Sequence, residues 1–487
     1  SWVGYEGALR DYYSGTISYD EFEALVGKYE TLNEDWFDVI CRDAFSHNHT
    51  LSISGGSANS TYYASLGYGR DNGVLQQEKL DRYTAMLRVN LNLAKFSMMF
   101  RISGNVQERR YTPSSVGLMD YAYNTSRAVP AYNEDGSYWF YPKDMGRGFQ
   151  VYFNVLNERD NSSWKMYTAN VSMQTQLGYR FFDGFKADFT FSYSLNNTDD
   201  ETWFGENTAY AASLRGERAE GGGRDANYMP FGGELRKSHT RNTNYMLRLQ
   251  LNYTKFLDKE NLHMINAALG GEISHTTYKG FEQTHRGYLK DRGMLISTFD
   301  EEVYPDFSEW LATTKEARGV LKDELTNKVS GYATLSYSYH DLYVLNANVR
   351  FDASNKFGSQ ANKKILPVWS VSARWNAKED VIAHWNWVDN LAVRASFGYQ
   401  GNMLDSETPE LIIEKGDWDG LREYYRSSVH KFPNPNLSWE KTASVNSTVD
   451  FAFFKNRLSG SFSYFYKKTK NAFLSKQISV VNGVKSY

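Results

Sequence analysis

The regular alternation of apolar and polar residues is the feature that most constrains this chain. In FKADFTFSYSL (185–195) one set of alternate positions carries Phe, Ala, Tyr and Leu, and the other carries Lys, Asp, Thr and Ser. A period of two is typical of a β-strand, because successive side chains point to opposite faces of a sheet. A soluble domain would bury the aromatic face in a core, whereas an outer-membrane barrel would turn it toward lipid. The stretch by itself leaves both possibilities open.

The same alternation recurs along the chain, and we count about fourteen predicted strands, with clear examples at 83–93, 167–177, 245–253 and 329–339. Their lengths cluster near ten residues, which suits a tilted strand that crosses a bilayer. Strands of ordinary globular sheets are shorter, about five or six residues. The pattern therefore favours a membrane barrel over a soluble sandwich. No repeat of about 40–50 residues is visible, which weighs against a propeller.

Short and long connections alternate between the predicted strands. The long ones lie at about 107–164, 196–243, 275–327 and 401–438. Outer-membrane barrels combine tight periplasmic turns with long extracellular loops in this way. We therefore predict an all-β chain: a transmembrane antiparallel β-barrel over 49–487 in the outer membrane, which the chain crosses many times.

The first 48 residues differ from the rest and are predicted to form an extracellular loop with a short helix. SYDEFEALVGKYE (18–30) places Ser18 three residues before Glu21, the spacing of a capping box. Phe22, Leu25 and Val26 follow at helical spacing, which predicts a helix that begins after Ser18.

Composition removes several classes of protein. The formal net charge of −3 gives no general attraction to nucleic acid. Cys41 is the single cysteine, which excludes an internal disulfide and a structural cysteine-zinc site. No apolar run reaches about 18 residues, so no membrane-spanning helix is expected. The start lacks Met and a signal segment, and the end breaks off in a strand-like run, so we expect an internal piece of a longer protein.

The polar faces of the predicted strands indicate a wide, wet interior, because a small soluble barrel fills its interior with apolar side chains. They carry charges among many Asn, Gln, Ser and Thr residues. The residues predicted to face the lumen are Arg88, Asp188, Arg248, Arg350 and Arg394.

Motifs for catalysis or metal binding are weak. His47 and His49 would share one face of a strand, but no third ligand is evident. Asp417 and Asp419 resemble the opening of a calcium loop without its closing Glu, so a turn is favoured. The glycine-rich stretch at 221–224 follows no strand-to-helix transition and is interpreted as a loop. We therefore predict no enzyme, no cofactor and no metal site.

Aromatic residues in the long loops are the better candidates for ligand contact. An aromatic ring with a polar tip offers a stacking surface for a sugar or a peptide. Packing between loops is the alternative role for each of them. The predicted substrate contacts are Tyr138, Trp139, Tyr141, Trp203, Trp418, Tyr424 and Tyr425.

Several long blocks resemble a known family. They include WFDVICRDAFSHNHTLSISGGSANSTYYASLGYGRDNGVL (36–75), RFDASNKFG (350–358), NLAVRASFGYQGN (390–402) and NPNLSWEKTASVNSTVDFAFFKNRLSGSFSYFYKKTKNAFL (434–474). In order and content they resemble the SusC/RagA family of TonB-dependent outer-membrane transporters.

The resemblance implies a 22-stranded barrel with an N-terminal plug, of which this chain would supply the second to fifteenth strands. It implies a SusD-like surface lipoprotein as a lid, and energy from TonB–ExbB–ExbD through a segment that this chain lacks. The expected function is import of oligomeric nutrients, glycans first and peptides of the RagA type as the alternative. A passive porin or adhesin barrel and a soluble carbohydrate-active β protein are the alternatives from other classes.

Overall fold

The computed structural model describes residues 4–219, 227–300, 302–357, 365–402, 410–433 and 440–472, except the side chains of residues 357, 366, 417 and 418. The glycine-rich stretch at 221–224 lies outside the described residues, as do residues 403–409 and 434–438 of the loop predicted at 401–438. None of the described helices is both long and apolar enough to span a membrane. The helices are α1 Tyr5–Tyr13, α2 Tyr19–Thr31, α3 Trp36–Ile40, α4 Leu118–Asn124, α5 Val155–Asp160, α6 Ala209–Leu214, α7 Pro305–Thr313, α8 Lys315–Arg318 and α9 Ala377–Asp380, with 3-10 turns at Ser114–Val116 and Asn355–Phe357.

Strands make up most of the described chain. They are β1 His47–Gly56, β2 Ser60–Asn72, β3 Lys79–Asn92, β4 Phe96–Tyr111, β5 Tyr141–Asp144, β6 Gln150–Phe153, β7 Ser162–Phe182, β8 Phe185–Phe204, β9 Gly233–Phe256, β10 His263–Leu289, β11 Leu295–Ile296, β12 Val320–Tyr339, β13 Tyr343–Ser354, β14 Ile365–Trp375, β15 Val388–Asn402, β16 Ile412–Asp419, β17 Tyr424–Lys431, β18 Glu440–Phe453 and β19 Leu458–Lys470.

One large antiparallel sheet organises the molecule. Its order is β1-β2-β3-β4-β7-β8-β9-β10-β12-β13-β14-β15-β18-β19, so each strand pairs with the next wall strand along the chain. These fourteen strands confirm the predicted number. The short β11 pairs with the end of β10, while β5–β6 and β16–β17 form separate hairpins in the loops.

Several wall strands are longer than predicted. β7, β8, β9, β10 and β12 contain 21, 20, 24, 27 and 20 residues, so the expected length near ten is wrong for them. Past the segment in which one face is apolar, strand pairing continues through residues that are polar on both faces. An example is NNTDDET (196–202) of β8, which pairs with both β7 and β9. The connections shrink accordingly, to 112–161, 205–232 and 290–319.

The register confirms that the two sets of alternate residues lie on opposite faces. Phe189 lies opposite Leu177 of β7 and Leu249 of β9, and Ser192 lies opposite Gln174 and Met246. The apolar side chains of neighbouring strands thus form one continuous surface. Polar residues form most of the opposite face.

The connections also keep the predicted asymmetry. One end of the sheet carries tight turns such as 57–59, 93–95, 183–184 and 340–342. The other end carries the long connections. By the rule for outer-membrane barrels, the tight turns mark the periplasmic end.

The main buried apolar core lies in the loops rather than in the sheet. It joins α3, α4, the β5–β6 hairpin, α5 and the start of α6, and its buried members are Trp36, Ile40, Leu118, Tyr121, Ala122, Val129, Ala131, Tyr141, Val151, Phe153, Val155, Leu156 and Ala209. The N-terminal region therefore packs on the loops that follow β4 and β8.

The predicted N-terminal helix is present as α2. Ser18 is its N-cap, and its side chain accepts a hydrogen bond from the Glu21 backbone N–H. The Glu21 carboxylate accepts the Ser18 backbone N–H at 2.8 Å, which completes the capping box. α1 and α3 flank it, so the region 1–48 contains more helix than the single one predicted.

Candidate functional site

A cavity of about 990 Å³ lies between the loops 112–161 and 205–232 and is here called the loop cavity. The first loop contributes aromatic side chains, and the second contributes charged ones close to α6. Its lining includes Tyr132, Tyr138, Phe140, Tyr152, Glu206, Arg215 and Glu217. Tyr132, Phe140 and Tyr152 are exposed, so their rings are accessible to a ligand.

Asn154 organises the aromatic side of the loop cavity. It is buried, and its side-chain amide donates to the backbone carbonyls of Ala131 and Trp139 at 3.0 and 2.8 Å. Its Oδ1 accepts the backbone N–H groups of Leu156 and Asn157, which caps α5. One side chain thus fixes the segments that carry the cavity tyrosines and starts the helix behind them.

Glu158 connects the two loops. Its carboxylate is buried and accepts the backbone N–H of Ala209 at 2.6 Å, at the start of α6. Burial raises the pKa of Glu158, although the bonds from the Ala209 and Tyr210 backbones act in the opposite direction. This contact holds α6 against the first loop and so sets one wall of the loop cavity.

Tyr138 is the predicted contact residue that lines the loop cavity. Its hydroxyl donates to Asp160, which also accepts hydrogen bonds from Arg159 at 2.7 Å and from Gln77 at 2.6 Å. Burial and the bond to Asp160 raise the pKa of Tyr138 to about 12. The ring of Tyr132 lies 5.8 Å from that of Tyr138. The two rings together present an adjacent aromatic pair.

Trp139 and Tyr141 belong to the packing of the loops. Tyr141 is 7% exposed, and its hydroxyl donates to the hydroxyl of Tyr121 at 3.3 Å. Trp139 is partly buried against the same core. In this conformation Tyr141 has no surface to offer a ligand, so we leave it out of the candidate site.

Trp203 lies on the apolar, outward face of β8. It shares that face with Phe189 and Leu195, and the Lys290 ammonium lies 3.6 Å from its ring centre. It therefore does not line the opposite, polar face. Its contact with substrate remains a prediction that the geometry does not support.

The remaining predicted contacts lie on the β16–β17 hairpin, away from the loop cavity. Tyr424 and Tyr425 are exposed, and the Lys415 ammonium lies 3.3 Å from the Tyr425 ring centre. The Trp418 backbone pairs with that of Tyr425, but its side chain lies outside the described residues. Asp419 accepts the backbone N–H of the residue two positions on at 3.1 Å, which is the predicted turn.

The five residues predicted to face the lumen lie on the polar face of the sheet, and most are paired with acids or bases there. Arg248 lies 2.6 Å from Glu272, and Arg350 lies 2.7 Å from Asp352 and 3.7 Å from Glu272. The contacts therefore link β9, β10 and β13. Arg394 meets Asp450 at 2.7 Å, Asp188 meets Lys186 at 2.6 Å, and Arg88 donates to Asn90 at 3.2 Å.

Sequence reasoning missed the loop cavity as a unit. Tyr132 and Tyr152 lie near the predicted contacts Tyr138, Trp139 and Tyr141 in the sequence. The number of aromatic residues in this loop was the feature that could have pointed to them. Arg215 and Glu217 belong to another loop, and nothing in their local sequence indicates that they meet Tyr138. In the part of the chain that the structure describes, no group of three or more possible ligands is placed to hold a metal ion.

Comparison with known proteins identifies TonB-dependent receptors both by family model and by individual relatives. The family model described as "TonB dependent receptor-like, beta-barrel" matches residues 120–486. The "TonB-dependent receptor SusC" of Bacteroides thetaiotaomicron is 26% identical over 96% of this chain and 45% of its own length. The "TonB-dependent receptor P26" of Formosa agariphila is 25% identical over 93% of this chain and 43% of its own length. The chain therefore spans less than half of either relative.

A solved structure supports the same fold. The structure of the RagAB peptide transporter superposes with a TM-score of 0.74 at 18% identity, over 96% of this chain and 50% of the other. The family model together with the relatives makes this an outer-membrane β-barrel protein. The chain belongs to the TonB dependent receptor-like β-barrel family, and within it to the SusC/RagA group.

Proposed function

We propose that this chain forms the wall and the outer loops of an energised importer of oligosaccharides. The polar face of the sheet lines the passage, and the apolar face meets lipid. A SusD-like surface lipoprotein covers the loops, and TonB–ExbB–ExbD supplies energy through a part of the protein beyond this chain. The protein transports its ligand and does not catalyse a reaction.

The loop cavity is the observation that carries the oligosaccharide proposal. Sugar rings stack on exposed aromatic faces, and their hydroxyls exchange hydrogen bonds with nearby polar groups. The loop cavity offers both, because Tyr132, Phe140 and Tyr152 are exposed beside Glu206 and Arg215. Its volume of about 990 Å³ lies at the upper end of the range for small-molecule sites, about 300–1,000 Å³.

A peptide importer is the second candidate. The superposition on the RagAB peptide transporter favours it, although at 18% identity that likeness concerns the fold. The charged residues of the second loop would suit peptide termini and side chains as well. Direct binding separates the two ligand classes.

The experiment uses the full-length protein with its lid lipoprotein and measures the affinity for a pool of oligosaccharides and a pool of peptides by calorimetry. Tyr152→Ala removes one exposed ring from the loop cavity and is expected to weaken oligosaccharide binding about fivefold, since such a contact contributes about 1 kcal/mol. Tyr123→Ala is the matched control, because Tyr123 is 80% exposed and does not line the loop cavity.

Three results would contradict parts of the proposal. Binding of peptides with no binding of oligosaccharides would assign the protein to the second candidate. Equal loss of affinity in the two tyrosine variants would remove the loop cavity from the argument. Uptake that persists in cells after an uncoupler collapses the proton gradient would exclude the energised step.

A further inference from the structure

Charge is distributed unevenly over the polar face of the sheet. From β8 to β18 carboxylates are frequent, and many cations lie next to one, although Lys328 and Arg374 do not. Close pairs on this part of the face include Lys186–Asp188 at 2.6 Å, Arg248–Glu272 at 2.6 Å, Arg350–Asp352 at 2.7 Å and Arg394–Asp450 at 2.7 Å.

The polar face of β1–β4 and β7, here called the arginine wall, has a different composition. Arg82, Arg88, Arg101 and Arg109 lie on it, and the register places one carboxylate there, that of Asp71. Asp71 lies 3.8 Å from Arg82. Across the described ranges, no carboxylate lies within ion-pairing distance of Arg88 or Arg101.

Arg88 and Arg101 lie directly opposite each other on β3 and β4. Like charges in this position destabilise a sheet. Arg88 donates to Asn90 at 3.2 Å, a neutral acceptor, and the residue opposite Arg101 on β7 is the neutral Gln174. An anion that binds between the two guanidinium groups would relieve their repulsion.

The arginine wall extends along the passage. Arg88 lies five positions before the tight turn at 93–95, whereas Arg82 and Arg109 lie toward the long loops. The eight positions from Arg101 to Arg109 correspond to about 26 Å of strand at about 3.3 Å per residue. A ligand that moves along this side of the barrel would therefore pass Arg82 and Arg109 near the long loops and Arg88 and Arg101 closer to the tight turns.

We infer that the arginine wall binds the carboxylate groups of an acidic oligosaccharide, one built from uronic acids, as it passes through the barrel. This inference rests on the proposed function. Guanidinium groups bind carboxylates through paired, charge-assisted hydrogen bonds. Rings of arginine and lysine select anions in pores for the same electrostatic reason.

The test compares two forms of one ligand, oligogalacturonate and its uncharged methyl ester, in cells that carry the full-length protein and its lid. The measured quantity is the ratio of acid uptake to ester uptake at low and high salt. We expect the wild type to favour the acid by about tenfold at low salt and less at high salt, because charge steering is screened. The double variant Arg88→Gln/Arg101→Gln is expected to lose most of this preference.

The charge-retaining double variant Arg88→Lys/Arg101→Lys is the matched control and is expected to keep a preference that still depends on salt. Heat-modifiable migration on gels confirms that each barrel has assembled. Equal loss of acid and ester uptake in the Gln variant would show that the arginines hold another part of the protein, and this would overturn the inference. A wild type that imports both forms equally, or neither form, would also overturn the inference. Either result leaves the proposed function intact, because that function is decided by binding of the oligosaccharide and peptide pools.

Discussion

A buried charge cluster at the outer ends of β9 and β10 gives the sharpest prediction. Glu234 is 1% exposed, and its two carboxylate oxygens lie 2.7 Å from Arg236 and 2.9 Å from Arg286. The Tyr210 hydroxyl donates to the same carboxylate at 2.9 Å. The Arg286 guanidinium also lies 4.0 Å from the ring centre of Trp310 in the next long loop. One carboxylate therefore joins the two strands to the loops at 205–232 and 290–319.

The substitution Glu234→Gln keeps the shape of the side chain and removes its charge. Breaking a buried ion pair costs about 3–5 kcal/mol, because the remaining charge has lost its partner. Arg286 is largely buried, whereas the Arg236 side chain is 47% exposed and can return to water. We therefore expect the lower end of the range, about 3 kcal/mol, lost from the local stability of the two loops rather than from the whole barrel.

Hydrogen exchange of the full-length protein in detergent measures this local stability. Since about 1.4 kcal/mol corresponds to a factor of ten, amides in α6 and α7 should exchange about 100-fold faster in Glu234→Gln. Asp323→Asn is the control, because its pair with Lys279 at 3.3 Å is exposed and such pairs contribute about 0–1 kcal/mol. Similar exchange rates in the two variants would refute the reasoning about burial.

Three further predictions concern other levels of the structure. Phe189→Arg puts a charge on the apolar outward face and should cost about 2–4 kcal/mol, so assembled barrel on heat-modifiability gels should decrease, whereas Ser192→Arg on the polar face should assemble better; equal yields would mean that the faces are reversed. Ser18→Ala removes the cap of α2 and should cost about 1 kcal/mol, seen as faster amide exchange in its first turn, and unchanged exchange would contradict a role for the cap. Burial tends to raise the pKa of Asp160, but its hydrogen bonds from Arg159, Tyr138 and Gln77 outweigh burial and lower it. The stability that these bonds give is present above the ordinary carboxyl pKa of about 3.9 and is lost as the pH falls below that value. Tyrosine fluorescence of the wild type should therefore change as the pH falls below about 3.9, and Asp160→Asn should remove this change. A wild type whose fluorescence does not change there would contradict the role given to the bonds of Asp160.

Much of the wall could be predicted from the sequence, because the alternation of apolar and polar residues within each strand shows which side chains share a face. The alternation around Phe189 and Ser192 depends only on residues i and i+2, and the register of the sheet confirms it. The number of strands followed for the same reason. The strand ends were harder to predict, because at NNTDDET (196–202) both faces are polar and the alternation stops while the ladder continues.

The loop cavity could not be predicted from local pattern. Tyr138 was a predicted contact, but its neighbours Arg215 and Glu217 come from a loop that begins after two more strands. Tyr141 shows the opposite problem, because an aromatic residue in a loop looks the same in sequence whether it packs or binds. The buried Asn154 and Glu158, which decide the geometry, are common loop residues with no signature of their own.

The position of the buried core has a consequence for the order of folding. Trp36 lies before β1, and Ala209 lies after β8, yet both belong to the same apolar cluster. Closing contacts between such distant residues has a large entropic cost unless the chain between them is already ordered. We therefore expect the wall strands from β1 to β8, six of the fourteen, to pair before the cluster closes. Compact loops would then indicate that these six strands have assembled.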